Sequence, residues 1–141
     1  MPEISCYYHC YSPIEKVLPK LLEKVLQIEK RAVVCTGRKE HLEEVDKLLW
    51  TYSKLELLPH GTEEDGNAEY QPIWVTTKEE NPNFADFLFV LGNQQPSNLG
   101  DFERVFVVSD NWDAEYKQWL KSLPYAKTFW KEEERGGWEK L

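Results

Sequence analysis

A three-layer α/β domain, with a largely parallel sheet flanked by helices, is the fold class this sequence predicts. Two observations carry the prediction. Short apolar runs of strand character alternate with segments whose apolar residues recur at helical spacing, and that order implies right-handed crossovers between parallel strands covered on both faces. The chain also has the size of one domain. Its 141 residues are 41% hydrophobic and 13% aromatic, enough for a sizeable core and far from the composition of a disordered chain. A single domain over 1–141 is expected.

SCYYHCY (5–11) is aromatic-rich and reads as the first strand. Ser12-Pro13 is a helix-start signal, a cap residue followed by proline at the first helical position. Ile14, Val17, Leu18, Leu21, Leu22 and Val25 then recur at helical spacing. Pro19 falls inside that pattern, where it removes a hydrogen bond and clashes with the preceding turn, so a short first turn to Leu18 and a main helix from Pro19 to about Glu29 are predicted. AVVCT (32–36), closed by Gly37, reads as a buried strand, and Arg38 to Trp50 as a second helix with Leu42, Val45, Leu48 and Leu49 on one face. Leu55 to Leu58 reads as a very short strand stopped by Pro59-His60-Gly61, and residues 61–71 as a polar loop. PIWVTT (72–77), FLFVLG (87–92) and FERVFVVSD (102–110) are strands separated by polar loops. Ala114 to Leu123 is a helix stopped near Pro124, AKTFWKE (126–132) a last edge strand, and ERGGWEKL (134–141) a tail.

Composition excludes several functions. A formal net charge of −8 makes whole-surface binding to a phosphate backbone unfavourable. No apolar stretch approaches a membrane span, and MPEISCYYHCYS lacks the charged start and apolar core of a secretory signal, so a cytoplasmic chain with three reduced cysteines is expected. No G-x-x-x-x-G-K-[ST] is present, and no G-x-G-x-x-G follows the first strand, so neither a nucleotide nor another cofactor is expected. Cys6 and Cys10 stand roughly 13 Å apart on a strand, too far to bridge or to share a zinc ion. Core packing is the reading for both, with His9 on the other face. The acidic stretches at 63–65 and 132–134 lack the spacing of a calcium loop and read as solvated charge. An enzyme would have to use Cys35, at the C-terminal end of a strand with His41 on the next helix, or His60. A packed thiol and a hydrogen-bonded loop anchor are the plainer readings.

One segment carries a binding signal. YKQWLKSLPYAKTFWK (116–131) holds Lys117, Lys121, Lys127 and Lys131, five aromatic residues and no acid. Lys117 and Lys121 share a helix face, and Lys127, Phe129 and Lys131 share a strand face. Lysines beside exposed aromatics suit an anionic ligand with an apolar end. Single-stranded nucleic acid stacking on the aromatics fits, and so does an acidic peptide with a terminal aromatic residue; a tryptophan core with solvated lysines is the third reading.

The ordered series LEKVL (22–26), Gly37 after the second strand, HLEEVDKLLWTY (41–52), LLPHG (57–61), QPIWVT (71–76) and the tail FWKEEERGGWEKL (129–141) resembles the chi subunit of bacterial DNA polymerase III. The resemblance spans nearly the whole chain. It implies a Rossmann-like α/β domain without a nucleotide, and a non-catalytic accessory of the clamp-loader complex. It implies binding to the acidic, Pro-Phe-ended C-terminal tail of single-stranded-DNA-binding protein, contact with DNA only indirectly, and pairing with the psi subunit. The apolar psi-facing position of the family corresponds to Leu57. The aromatic residue of the family's tail-binding pattern corresponds to Trp119. The pattern's basic positions fall on Tyr116 and Leu120, each followed by a lysine, so Lys117 and Lys121, with Lys127, are the expected sources of charge.

Overall fold

A computed structural model of the chain describes residues 2–51, 59–92, 94–97 and 99–141. Three strands, β2 (Ala32–Cys35), β3 (Ile73–Thr76) and β4 (Phe87–Leu91), have every residue buried. Strands of that composition have no polar face to give to water and require cover on both sides. With β1 (Glu3–Tyr8), β5 (Arg104–Ser109), β6 (Lys127–Glu132) and β7 (Trp138–Lys140) they form one sheet in the order β3-β2-β4-β5-β1-β6-β7. The first six strands pair in parallel, and β7 runs antiparallel to β6.

Alternation along each strand sorts the core into two layers. Helix α1 (Ile14–Gln27) and helix α2 (Lys39–Thr51) cover one face, where Leu18 and Leu22 of α1 and Val45 and Leu49 of α2 join Val34, Val75, Phe89 and Phe106. The other face is covered by the shorter helix α3 (Ala114–Ser122) and by the loops that carry Ala85, Leu99 and Phe102. Ile4, Cys6, Val33, Leu88 and Val107 point into that second layer beneath Tyr116 and Leu120. The predicted three-layer α/β architecture with a largely parallel sheet is the one observed. No helix among the described residues is long and apolar enough to cross a membrane.

Several predicted details are corrected. Helix α1 runs unbroken through Pro19, which is itself buried. An interior proline costs about 3 kcal/mol, whereas Val17, Leu18, Leu21, Leu22 and Val25 are all buried and each contributes about 1.5–3 kcal/mol. Packing outweighs the lost hydrogen bond. Pro13 is the N-cap residue and not the first helical one. The first strand ends at Tyr8, because the Glu132 carboxylate captures the Tyr11 and Ser12 N–H groups and bends residues 9–12 out of the sheet. His9 is therefore buried beyond the strand, and Cys10 is only half-buried. The β6 segment is not an edge strand. Gly136 and Gly137, at φ +86° and +84°, turn the presumed tail back along it as β7. Trp138 then meets Tyr7 edge-on with ring centroids 5.0 Å apart. The short strand expected at 55–58 lies outside the described residues.

Helix α1 ends in a Schellman motif: Glu29 N–H donates to the Leu26 carbonyl at 3.0 Å and Lys30 N–H to the Val25 carbonyl at 3.1 Å. The left-handed position is held by Glu29 at φ +58°, where glycine carries no steric penalty. Replacing Glu29→Gly is expected to raise stability by about 1 kcal/mol. The check is a higher midpoint in urea at unchanged slope; a lower midpoint would show that the Glu29 side chain contributes more than its backbone strain costs.

Candidate functional site

At the C-terminal edge of the parallel sheet, register brings together side chains that are far apart in sequence. Cys6 pairs with Phe129 and Tyr8 with Lys131 across β1 and β6. Alternation turns both pairs toward α3. The chain leaving β5 delivers Trp112, whose ring stacks on Tyr8 at 5.3 Å and meets Phe129 edge-on at 5.7 Å. Asp113 caps α3 by accepting from the Tyr116 N–H at 2.8 Å, and the helix then presents Lys117 and Lys121 on one face. Leu141 closes the open side, with its N–H donating to the Phe129 carbonyl at 2.9 Å. The result is a shallow basin of about 430 Å³ lined by Tyr8, Trp112, Lys117, Lys121, Phe129, Lys131 and Leu141.

Its electrostatics suit an anion. Lys117, Lys121 and Lys131 are exposed, and none makes an ion pair within 4.0 Å among the described residues. Glu139 lies opposite Lys131 in the β6–β7 ladder without reaching ion-pair distance. The floor is apolar and aromatic, and the buried Trp112 Nε1–H has no acceptor among the described residues. Three ammonium groups over a low-dielectric floor create a local positive field on a chain of net charge −8.

Of the residues expected from sequence, Lys117 and Lys121 meet in this basin. Trp119 does not line it: two residues beyond Lys117 it lies roughly 200° around the helix, half-buried and stacked on Tyr116 at 5.3 Å. Lys127 turns its ammonium to the end of α3, donating to the Leu123 carbonyl at 2.6 Å and the Tyr125 carbonyl at 3.0 Å. Leu57 lies outside the described residues. Tyr8, Trp112 and Leu141 were absent from the sequence expectation. Only the β1–β6 register, a pairing across more than a hundred residues, would have found Tyr8. Trp112, just past the end of β5, stands where parallel sheets place ligand sites, and that position was a usable signal.

Cys35 and His60, named in the enzyme reading, are held within the fold, as is Cys6. Burial pushes the Cys6 thiol up to about 12, against the opposing charge of Lys127. Burial likewise raises Cys35, whose Sγ lies 3.4 Å from Gln94 Oε1 and 3.6 Å from the Lys78 carbonyl. Thiols held protonated are poor nucleophiles. His60 is the hydrogen-bonded anchor the sequence suggested, and its partner is a carboxylate: its Nε2 lies 2.8 Å from Asp46 Oδ1. The imidazole is fully buried, however, with Trp50 packed against it at 4.9 Å. This anchor holds Gly61 against β3, where Gly61 exchanges hydrogen bonds with Ile73 and Val75 at 2.9 Å each. A Cβ at Gly61 would come within 2.6 Å of the Gln71 side chain, so the Pro-His-Gly stop is structural.

Glu132 fixes the loop beside the basin. Its Oε1 accepts from the Tyr11 N–H at 2.8 Å and the Ser12 N–H at 2.7 Å. Burial by itself would raise this carboxyl, but hydrogen bonds from Ser12 and Tyr11 and the nearby His9 outweigh it and hold the group below the usual range.

Comparison with known proteins gives a consistent picture. Residues 1–122 match the family described as DNA polymerase III chi subunit, HolC. A probable DNA polymerase III subunit chi from Rickettsia prowazekii (strain Madrid E) is 28% identical over 117 residues, which cover 78% of this chain and 71% of the relative. The family match ends with α3, so Lys117 and Lys121 fall inside it and the β6–β7 hairpin outside.

The lowered Glu132 carboxyl has a consequence for stability. A depressed native value contributes stability that is complete above the unfolded value of about 4.3 and is lost as pH falls through the native one. Glu132→Gln is expected to cost about 1 kcal/mol at neutral pH, because a neutral acceptor replaces a charged one. In urea titrations the difference from wild type should shrink below about pH 4. A gap independent of pH would contradict the assignment.

Proposed function

The chain belongs to the DNA polymerase III chi subunit family, an accessory and not the catalytic subunit of that polymerase, and on this premise we propose that its lysine-rimmed basin binds the acidic, phenylalanine-ended C-terminal tail of single-stranded-DNA-binding protein. The observation that carries the reading is the convergence of Lys117, Lys121 and Lys131, all without ion pairs among the described residues, on the apolar floor of Tyr8, Trp112 and Phe129. Peptide carboxylates meet the ammonium groups. The terminal ring stacks on the aromatic floor, where such pairs add to plain burial. Each exposed ion pair is weak, so affinity comes from the sum and falls with salt. The module would tether the clamp loader to coated single-stranded DNA without itself gripping the strand.

Lys127 and Trp119 act one step back in this reading. Lys127 closes the end of α3, and Trp119 backs Tyr116, whose hydroxyl donates to the Gln94 carbonyl at 2.9 Å. Both hold the helix that carries the two rim lysines. For the psi subunit we propose the region of Leu57. What supports it is the described chain on either side in sequence, where Trp50 is 60% exposed beside the locked His60.

Titration calorimetry with the tail peptide, beside the same peptide lacking its final phenylalanine, tests the proposal. Binding is expected only for the intact peptide. Lys121→Glu should weaken it by about 1 kcal/mol, roughly fivefold in Kd. Trp119→Ala should lower the melting temperature more than the affinity. Equal binding of both peptides, or indifference to Lys121→Glu, would remove the tail from this basin.

A further inference from the structure

Among the described residues, three non-glycine residues have a left-handed backbone: Glu29, Asn67 and Phe84. Glu29 closes a helix, and asparagine tolerates this region. Phe84, at φ +53°, has neither reason, and its side chain is 77% exposed, so no burial offsets the strain. The loop that holds it is closely built. Asn81 clasps Ala85 through both ends of its amide, at 2.7 and 3.0 Å. Asn83 is fully buried and donates to the Ala32 and Gln71 carbonyls at 3.1 and 2.9 Å. Arg31 donates to the Asn83 carbonyl at 3.0 Å and to the Glu69 carbonyl at 2.6 Å. These bonds lock residues 69–71 beside 83–84, and Tyr70 on the first segment is 75% exposed. Two large aromatic side chains thus stand in solvent on a rigid mount, at the edge where β2, β3 and β4 begin. Strain at an exposed bulky residue on a rigid mount is stability given up for display.

The charge of this edge selects what it displays the rings to. Backbone hydrogen bonds run along it: Asp86 N–H donates to the Arg31 carbonyl at 3.2 Å, Glu103 N–H to the Asp86 carbonyl at 2.7 Å and Glu3 N–H to the Glu103 carbonyl at 3.3 Å. Glu29 and Glu69 flank the same row. Of the cations, Lys30 lies 3.4 Å from Glu103, the Arg31 guanidinium is occupied by backbone carbonyls, and the Arg104 guanidinium lies over the Phe106 ring at 4.9 Å and donates to Ser5 Oγ at 2.9 Å. Aromatic residues among carboxylates complement a cationic, apolar partner. We propose that this edge docks a basic protein segment with an apolar anchor, the anchor lying against Phe84 and Tyr70 and its flanking Lys or Arg residues facing Glu69, Asp86 and Glu103. The surface lies at the opposite edge of the sheet from the lysine basin and is independent of the tail-binding reading.

The test uses overlapping peptides tiling the other DNA polymerase III subunits of the same organism, titrated against the purified full chain and its Phe84→Gly, Glu69→Lys and Lys121→Glu variants. Retained peptides are expected to carry an apolar residue between basic ones. They should lose about tenfold in affinity to Phe84→Gly and to Glu69→Lys, and nothing to Lys121→Glu. Phe84→Gly should itself melt higher than wild type, since it removes strain without removing packing. A lower melting temperature would assign Phe84 to the fold and overturn the proposal. So would retention of no peptide, retention of acidic ones, or affinities unchanged by Phe84→Gly. Sedimentation provides the remaining arm: self-association that Phe84→Gly abolishes would mean that a second copy of this chain covers the patch.

Discussion

The parallel pairing of β1 with β6 is the constraint on which the lysine-rimmed edge of this molecule depends. It joins the start of the chain to a strand beyond residue 126 and sets Tyr8 beside Lys131 and Cys6 beside Phe129. A one-residue slip would turn Phe129 and Lys131 to the opposite face, where Trp130 now stacks on Tyr7 at 6.3 Å. The register is held at the strand ends. Ile4 N–H donates to the Ala126 carbonyl at 2.9 Å, and Glu132 gathers the Tyr11 and Ser12 N–H groups. Beyond them β7 removes the free edge and seats Trp138 on Tyr7.

Helix α3 depends on the same frame. It has nine residues, too few to be stable alone, and is pinned from three directions. Asp113 caps its start. Tyr116, almost wholly buried, reaches the loop after β4, and Lys127 satisfies carbonyls at its end. Two residues that look like surface chemistry in sequence thus serve to aim Lys117 and Lys121. The burial of Tyr116 and Leu120 fixes the rotation of the helix, and the rim lysines occupy the face left over.

Legibility followed locality. The apolar strands were plain because each is buried on both faces, and α2 was plain because its period is uninterrupted. Pro19 misled, since the rule that proline ends a helix is local while the packing of Leu18, Leu21 and Leu22 is not. The three-residue β7 was hidden because Trp-Glu-Lys has no strand pattern of its own; the adjacent glycines were the only signal. At the site, the lysines four apart could be read directly. Trp119 was named from the family's pattern, and the helix turns it away from the basin onto Tyr116, because position around a helix decides which side chains meet. Tyr8 and Trp112 arrive by sheet register, which a single sequence does not print. His60 was read correctly as an anchor, while its partner Asp46, on the preceding helix, was not foreseen.

A protein of net charge −8 that offers a cationic basin must keep the two potentials apart, and parallel strands provide the means. All six strands begin at one edge and end at the other, so an edge feature repeats along neighbouring strands. Glu69, Asp86, Glu103 and Glu3 stand where strands start, beside Lys30, Arg31, Arg104 and Lys127, and Lys131 and the α3 lysines gather where β1, β5 and β6 finish, beside Asp110, Asp113 and Glu132. Strands of five or six residues are about 17–20 Å long. That is roughly twice the Debye length at physiological salt. Solvent-exposed charges at one edge are therefore screened from those at the other. Substitutions at either edge are therefore expected to act separately. A sheet with antiparallel neighbours would intermix strand starts and ends along each edge and forfeit that separation. The same topology that buries the core so completely thus holds the charges of the two edges apart.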